Sequence, residues 1–300
     1  MKQLSIIALL GILLIAGCNA GDPEPPPQPV VVYASPEHES SLTEAFSAFT
    51  AETRIPVTLK IADSVSNTRN VINNEGTPPA DVLVTTTVID VWRAADEGAL
   101  RPLTSPTFAA VPSVLKDPDG MWAAIGVRFA VIGVAPGASD ALADAYGDLA
   151  SSDLRGKVCV SSSVLPVNRT LIAMLIEDIG VKPAERMARA WVRNLAASPF
   201  ATETKLVDAL RSGTCQYGVV SSSIDLAGLS TITPQPLYAD IDGIGVARHA
   251  RQAESAQTLV DWLLAENPLA KPGSSNGKNL GLAGWRDEEV RLLVERAGYR

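Results

Sequence analysis

The chain has 300 residues, of which 46% are hydrophobic and 19% are charged, a composition typical of a globular protein with a large core. Its 33 acidic residues outnumber its 25 basic ones, giving a net charge of −8 at pH 7, so it lacks the basic surface of a nucleic-acid-binding protein. The part that can fold, about 270 residues, is too long for one small domain and predicts two lobes or one large α/β unit.

The N-terminus has the pattern of a bacterial lipoprotein signal. A basic second residue precedes an apolar run from Leu4 to Ala16, which is shorter than the roughly 20 residues that span a bilayer. The run ends in Ile15-Ala16-Gly17-Cys18, which resembles a lipobox. We predict a signal peptide over residues 1–17, lipidation of Cys18, and a location in the periplasm or at the cell surface, anchored to a membrane by lipid. The alternative is an ordinary secretory peptide cleaved near Ala20.

The next segment, residues 18–29, predicts a tether. It contains five prolines and no large apolar side chain, so it cannot pack and should stay extended.

The first half of the remaining chain alternates strand and helix patterns. The predicted elements are strand Pro29–Ala34, a helix with a capping box at Ser41 and Glu44, strand Pro56–Ile61, helix Val65–Asn74, strand Ala80–Thr85 and helix Val88–Glu97. This alternation is typical of a parallel sheet flanked by helices.

The second half repeats the alternation without repeating the sequence. Its predicted elements are strand Ala130–Val134, strand Val158–Ser161, helices Arg169–Ile179, Pro183–Ala196 and Glu203–Arg211, strands Tyr217–Ser221 and Asp242–Arg248, and helices Glu254–Leu264 and Asp287–Ala297. Two α/β units are therefore expected.

Two cysteines remain once Cys18 carries lipid, and an oxidising envelope favours their pairing. Cys159 and Cys215 each lie in or beside a short apolar strand pattern, so adjacent strands could bring them together. We predict a disulfide between them. The alternative is two separate buried thiols.

Small polar residues follow several of the predicted strands. In open α/β sheets, ligands bind outside the carboxyl ends of the strands, so these loops are expected to line one cleft. The loops are Ser35-Pro36-Glu37-His38-Glu39, Thr85-Thr86-Thr87, Ser161-Ser162-Ser163 with Asn168-Arg169-Thr170, and Ser221-Ser222-Ser223-Ile224-Asp225. The serine runs are equally compatible with a simple role as turn residues.

A family resemblance covers nearly the whole mature chain. It rests on ordered stretches that include Val31-Val32-Tyr33-Ala34-Ser35, Ala80-Asp81-Val82-Leu83-Val84-Thr85, Gly156-Lys157-Val158-Cys159-Val160, Asn168-Arg169-Thr170-Leu171 and Gly243-Ile244-Gly245-Val246-Ala247-Arg248-His249-Ala250. With these stretches the chain resembles the periplasmic ferric-iron-binding proteins of ABC importers.

The resemblance implies a two-lobed α/β periplasmic-binding-protein fold of type 2. Each lobe is expected to be a mostly parallel sheet flanked by helices, and two strands should cross between the lobes near Arg128 and near Asp240. The implied boundaries are 30–127 plus 240–300 for lobe 1 and 128–239 for lobe 2.

The iron ligands of those relatives are mostly missing here. The relatives hold ferric iron chiefly by adjacent tyrosines after the strand that follows Cys215, where this chain has the serines of 221–223. A further tyrosine of the relatives corresponds to Val167. Serine hydroxyls are poor substitutes for phenolates around a hard cation such as Fe(III), so we expect the protein to stay colourless with ferric salts.

One histidine stands in the ligand loop that the resemblance implies. His38, with Glu37 and Glu39 beside it, could hold a metal, and we name His38 and Glu39 as candidate metal ligands. The alternative is a solvated loop leading into a helix whose dipole favours acidic residues. His249 is expected to be structural.

Arg128 corresponds to a family arginine that meets the bound anion, whereas a second family arginine is Ala130 here. Hydroxyl, amide and guanidinium donors around it suit a small oxyanion, or a metal with its anion. The predicted ligand contacts are Glu37, His38 and Thr86 from the first lobe, Ser163, Asn168, Thr170, Ser222, Ser223 and Asp225 from the second, and Arg128 at the hinge.

The predicted function is that of a substrate-binding lipoprotein working as a monomer with an ABC permease and ATPase. Its cargo would be a small ligand, either iron(III) or an iron–anion complex by resemblance, or a small oxyanion, and no resident cofactor is expected. One alternative is a protein of the same fold that has lost transport and acts as a sensor or assembly partner.

An enzyme is not expected, because the sequence contains neither a Gly-x-Ser-x-Gly elbow nor a phosphate-binding Gly-x-x-x-x-Gly-Lys loop. A hydrolase would need His38 beside a cleft serine and is the least favoured alternative.

Overall fold

A computed structural model describes residues 28–139, 143–266 and 279–300. The predicted signal peptide, the predicted lipidation site Cys18 and most of the predicted tether lie outside the described residues. Within the described ranges, no helix is long and apolar enough to cross a membrane.

The first half forms the predicted alternation of strands and helices. Its elements are β1 (Val30–Ala34), α1 (Glu39–Thr53), β2 (Val57–Ile61), α2 (Ser64–Ile72), β3 (Val82–Thr85), α3 (Val88–Asp96), β4 (Leu100–Arg101) and α4 (Pro106–Ala110).

The capping box predicted at Ser41 is wrong. A single turn of 3-10 helix, Pro36–His38, leads directly into α1, so the helix begins two residues before Ser41. The Ser41 hydroxyl donates back to the carbonyl of His38 instead of capping an amide.

The second half contains the longer strands. Its elements are β5 (Ala123–Val134), β6 (Val158–Cys159), α5 (Pro166–Ile179), α6 (Val181–Arg193), α7 (Glu203–Arg211), β7 (Tyr217–Ser221), β8 (Ser230–Ile232), β9 (Ala239–Ala247), α8 (Ala253–Glu266), α9 (Leu282–Trp285) and α10 (Asp287–Ala297). The predicted strand Ala130–Val134 is only the second part of β5, because Gly126 and Arg128 interrupt the apolar pattern of the first part.

The strands form a mixed sheet in the order β2-β1-β3-β9-β5-β7-β6. β1 runs parallel to β2 and β3, and β6 runs parallel to β7, whereas β5 and β9 are antiparallel to their neighbours. The first part of β5 pairs with β9, and its last residues pair with β7 and β8. β5 and β9, which we call the hinge strands, therefore connect two α/β lobes, and the predicted fold class is confirmed.

The pairing register places Arg128 opposite Asp240, the two positions near which the crossing was predicted. The lobe boundaries themselves stay a prediction. They assign residues 240–300 to the first lobe, but α10 packs on α5 and α6 of the second.

The two faces of the first lobe's sheet carry different helices. Alternate side chains of a strand point to opposite faces, so Val30 and Val32 pack with α1 and α8 while Val31 and Tyr33 pack with α2 and α3. The same alternation holds in β9, where Ile244 faces α1 and α8 and Gly243 lies against Val91 of α3.

Cys159 and Cys215 form a disulfide, with their Cα atoms 5.8 Å apart. It ties β6 to the turn that precedes β7 and lies in the core beneath α7. The bond is the pairing that the sequence favours over two separate thiols.

Candidate functional site

The candidate site begins in the loop after β1. Parallel strands end at one edge of the first lobe, and the turn Pro36–His38 carries the His38 imidazole toward the hinge strands. His38 Nε2 lies 3.0 Å from Asp242 Oδ1 on β9. Because Asp242 precedes Gly243, which faces α3, its side chain lies on the opposite face of the sheet, toward α1.

Arg128 is held by the protein on several sides. Its Nη1 donates to Asp242 Oδ1 at 2.7 Å, and its Nη2 donates to the carbonyls of Thr86 and Ile241. Asp240 Oδ2 lies 3.6 Å from Nη2. The guanidinium is therefore already neutralised, which departs from the expectation that it is offered to an oxyanion.

We call the first of two polar groups at the hinge the α1-side cluster. Its members are His38, Arg128 and Asp242.

The carboxylates near Arg128 have displaced pKa values. Burial alone would raise the pKa of Asp242, but the hydrogen bond from His38 and the charge of Arg128 hold it below the ordinary value. Burial raises the pKa of Asp240, which the nearby Arg128 opposes only in part. Burial likewise raises the pKa of Glu203, against the amide of Ser221 and the charge of Arg128. Three acidic side chains thus surround one arginine.

Unpaired polar atoms concentrate at this site. Among the residues that the structure describes, five buried side-chain atoms have no hydrogen-bond partner. Three of them, Ser35 Oγ, His38 Nδ1 and Asp240 Oδ2, belong to the β1 loop and the hinge. Native proteins leave few such atoms, so their concentration here points to a group that the protein itself does not supply.

A second polar group lies near the starts of α3 and α5, beside Asp240 of β9, and its side chains have protein partners. Asp240 Oδ1 accepts from the amide of Val88 at 3.0 Å and from the hydroxyl of Thr87 at 3.2 Å. The Thr87 hydroxyl also lies 3.1 Å from that of Thr170, which belongs to α5. These bonds join the two lobes.

Ion pairs continue this second group along α3, α5 and α10. Arg169 bonds to Asp90 and to Asp287, both at 3.0 Å, and Arg93 also pairs with Asp287. Burial would lower the pKa of Arg169, but its two carboxylate partners raise it, so the charge is retained. We call the group the α3-side network; its members are Thr87, Asp90, Arg93, Arg169, Thr170 and Asp287.

Several second-lobe residues predicted to bind ligand are instead used inside the protein. The Asn168 amide donates to both the carbonyl and the hydroxyl of Ser161 and to the carbonyl of Ser162. Thr170 is buried against Thr87, as described above. Ser163 is buried, and its amide donates to the carbonyl of Arg300. Such pairing within an α/β core is invisible in a local pattern.

The serines after β7 lie at the inner end of the second lobe. Ser222 exchanges hydrogen bonds with the backbone of Phe129, and Ser223 bonds to Ser221. Asp225 is exposed, and its carboxylate pairs with Arg211 of α7 at 3.1 Å, whereas a ligand contact was expected. Its short side chain instead closes a turn on the amide of Ala227.

The candidate metal ligands do not converge. Glu37 and Glu39 are exposed, while His38 turns inward to Asp242. Within the described ranges, no three histidine, cysteine or acidic side chains are placed to hold a metal ion. Thr86 is nearly buried and contributes its carbonyl to Arg128.

All five tyrosines are engaged by the protein. Their hydroxyls donate to the carbonyls of Pro78, Ala130, Ser139 and Ser161 and to the carboxylate of Asp178. The donors are Tyr33, Tyr146, Tyr217, Tyr299 and Tyr238, respectively. No phenolate ligand is therefore on offer from these residues.

Sequence reasoning missed Asp240, Asp242, Glu203 and Arg169. A signal was present in β9, where two aspartates interrupt an apolar strand at the predicted crossing. Glu203 and Arg169 carried none, because their partners lie on other elements.

A family model described as bacterial extracellular solute-binding protein matches residues 30–270. Among curated proteins, the chain is 28% identical to iron uptake protein A1 of Synechocystis sp., over 92% of this chain and 84% of that protein. It is 24% identical to the Fe(3+)-binding periplasmic protein of Serratia marcescens, over 88% of this chain and 81% of that one.

Solved structures share the fold. A Trichodesmium protein in complex with iron and citrate ligands superposes with a TM-score of 0.80 at 24% identity. The superposition covers 91% of this chain and 100% of that one. The ferric binding protein from Campylobacter jejuni gives a TM-score of 0.80 at 20% identity, covering 90% of this chain and 100% of that one. At these identities the likeness concerns the fold alone.

Proposed function

Since this chain belongs to the bacterial extracellular solute-binding protein family, we propose that it captures a small solute between its two lobes and delivers it to a membrane permease. The family membership speaks for a binding protein and against an enzyme. The observation that carries the proposal is the set of buried atoms without hydrogen-bond partners on Ser35 and His38, after β1, and on Asp240 of a hinge strand.

The cargo we propose is ferric iron carried as a complex with a small anion. Iron appears in the names of the relatives, and one structure with the same fold contains iron and citrate. In this chain every tyrosine hydroxyl is engaged by the protein, so the anionic ligands that Fe(III) needs would come from the bound chelator.

A free oxyanion is the less favoured cargo. Asp240, Asp242 and Glu203 lie near the guanidinium of Arg128, so a free anion would meet three acidic side chains and a cation that is already paired. Like charges repel strongly in a partly buried site, whereas a metal in the complex would offset them.

Anchoring and partners complete the proposal. The lipobox-like stretch ending at Cys18 supports a lipid anchor at a bacterial membrane, with residues 18–29 as a tether between the anchor and the folded lobes. A monomer is expected, served by an ABC permease and its ATPase.

Thermal unfolding of ligand-stripped protein tests the cargo. Ferric citrate should raise the melting temperature, by about 2.7 kcal/mol of stabilisation at a hundredfold excess over Kd. Citrate alone and phosphate at equal concentration should leave it unchanged, and ferric citrate should produce no red or orange tyrosinate colour.

Variants at the proposed site, compared with a control variant elsewhere, test where ferric citrate binds. Ser35→Ala and His38→Ala should weaken the ferric citrate response, whereas Ser47→Ala on the exposed face of α1 should keep it. A shift with citrate or phosphate alone would replace the iron complex by a free anion.

A second function is favoured by one observation, the engagement of all five tyrosines. If ferric citrate, ferric nitrilotriacetate, citrate and phosphate all leave the melting temperature unchanged, the iron and oxyanion cargoes are contradicted and a role as sensor or assembly partner is favoured.

A further inference from the structure

The two ring nitrogens of His38 are in opposite situations. Nε2 lies 3.0 Å from Asp242 Oδ1, while Nδ1 is buried and, among the described residues, has no hydrogen-bond partner. A neutral imidazole has one donor and one acceptor, and the hydrogen bond made by one nitrogen determines which it is. An ionised carboxylate only accepts, so Nε2 must carry the hydrogen and Nδ1 must carry the free lone pair.

The carboxylate of Asp242 is itself fixed in place by the hinge strands. Arg128 Nη1 donates to the same Oδ1 at 2.7 Å. On the other side the carboxylate lies over Gly126, where a Cβ atom would come within 2.4 Å of Oδ2. Asp242 is therefore held by a cation on one side and by a glycine backbone on the other.

The loop that carries His38 does little to orient its ring. The turn Pro36–His38 and the start of α1 are both without a side-chain capping bond. The hydrogen bond that selects the tautomer is therefore the 3.0 Å contact of Nε2 with Asp242.

We propose that Asp242 is the positioning residue of His38, locking the Nε2–H tautomer so that Nδ1 is presented as a ligand atom to the cargo. The inference rests on the proposed function in one respect, namely that a cargo reaches His38. A carboxylate on the second nitrogen also strengthens an imidazole as a metal ligand, which suits a cargo that contains iron.

Nitrogen NMR reads the tautomer without any cargo. The chain has only two histidines, so ¹⁵N-labelled protein at pH 8 shows two ring-nitrogen patterns, and His249→Gln assigns them. We expect His38 to show protonated Nε2 and unprotonated Nδ1. In Asp242→Ala the tautomer should become mixed, in Asp208→Ala it should not change, and His249 should be unaffected in both.

Cargo affinity supplies the second readout, with ferric citrate as the probe. Asp242→Ala should weaken binding roughly 10- to 100-fold, the usual effect of removing such a partner. In the background of His38→Ala it should add little further loss. Asp242→Asn retains an acceptor oxygen and should recover part of both the tautomer and the affinity.

The outcomes separate the two proposals. Protonated Nδ1 in the parent, or an unchanged tautomer in Asp242→Ala that still melts cooperatively, overturns the positioning role whatever binds. A correct tautomer without any ferric citrate binding overturns the proposed cargo and leaves the positioning of His38 by Asp242 standing. If Asp242→Ala weakened binding by the same factor in the parent and in the His38→Ala background, the coupling of the two residues would also be contradicted.

Discussion

Two polar groups at the hinge have similar composition but differ in how completely their atoms are hydrogen-bonded. On the α3 side, Asp240 Oδ1, Thr87 and Arg169 all have protein partners. In the α1-side cluster, His38 Nδ1 has none within the described chain, and neither has Ser35 Oγ in the loop after β1. Buried polar atoms that are paired hold a structure together, whereas unpaired ones cost stability and mark a place for something else.

Asp240 shows the contrast within a single side chain. Its Oδ1 receives hydrogen bonds from the start of α3, but its Oδ2 is without one among the described atoms. Oδ2 lies 3.6 Å from Arg128 Nη2, so this one carboxylate connects the start of α3 with the arginine of the hinge.

The largest effect on stability is expected from breaking the ion pairs of the α3-side network. Arg169→Met would leave Asp90, which is 2% exposed, and Asp287 without their shared cation. Removing one partner of a buried ion pair costs about 3–5 kcal/mol, so the urea midpoint should fall strongly. Arg211→Met, which removes an exposed pair with Asp225, should leave the midpoint nearly unchanged. Equal midpoints for the two variants would show that the α3-side network is not structural.

The next largest effect is expected in the pH dependence of unfolding, where two carboxyl side chains, Asp242 and Glu203, should differ. The pKa of Asp242 is lowered, so Asp242 stabilises the fold above its ordinary pKa and this contribution is lost as the pH falls through the folded value. Asp242→Asn should therefore cost about 1.5 kcal/mol at pH 7, the size of a hydrogen bond to a charged group.

Glu203 should behave in the opposite way, because its pKa is raised and its charged form costs stability at pH 7. Glu203→Gln should raise the midpoint at pH 7, and the gain should fade as the pH drops below about 4, where the parent is protonated in both states. The loss in Asp242→Asn should persist to lower pH. The same sign for both variants at pH 7 would contradict this assignment of charges.

A smaller effect on stability is expected from removing one hydroxyl of the α3-side network. Thr87→Val removes the oxygen that caps the amide of Ile89 and bonds to Asp240 and Thr170. Loss of such a cap costs about 1 kcal/mol. Thr43→Val, on the exposed face of α1, is the control and should change the midpoint little. A midpoint equal to that of the parent would argue that Thr87 is dispensable.

The smallest effect on stability is expected from a substitution in the loop after β1. Ser35→Ala removes a buried hydroxyl that has no partner in the described structure, so the stripped protein should melt at the same temperature or slightly higher. Its response to ferric citrate should nevertheless weaken. A clear loss of stability would mean that Ser35 belongs with the structural group.

Much of the fold was predictable because the patterns behind it are local. Helix α7 and strand β7 were predicted with their observed bounds, since an apolar period of about 3.6 or a short Val-rich run is read within a few residues. The first part of β5 was missed because Gly126 and Arg128 break that pattern.

The candidate site was predictable only in part. The position of His38 after β1 follows from strand order, and the crossing near Arg128 and Asp240 came from resemblance. What Arg128, Asn168 and Asp225 bind did not follow, because donors and acceptors of these types satisfy a ligand and a protein equally well.

The amino-acid sequence by itself determined the alternation of strands and helices, the two cysteines available for pairing and the absence of tyrosines after β7. Only the tertiary structure decided which polar atoms were already satisfied. The physical reason is distance along the chain: Asp242 meets His38 and Arg128, and Arg169 meets Asp90, only when strands and helices far apart in sequence are brought together by the core.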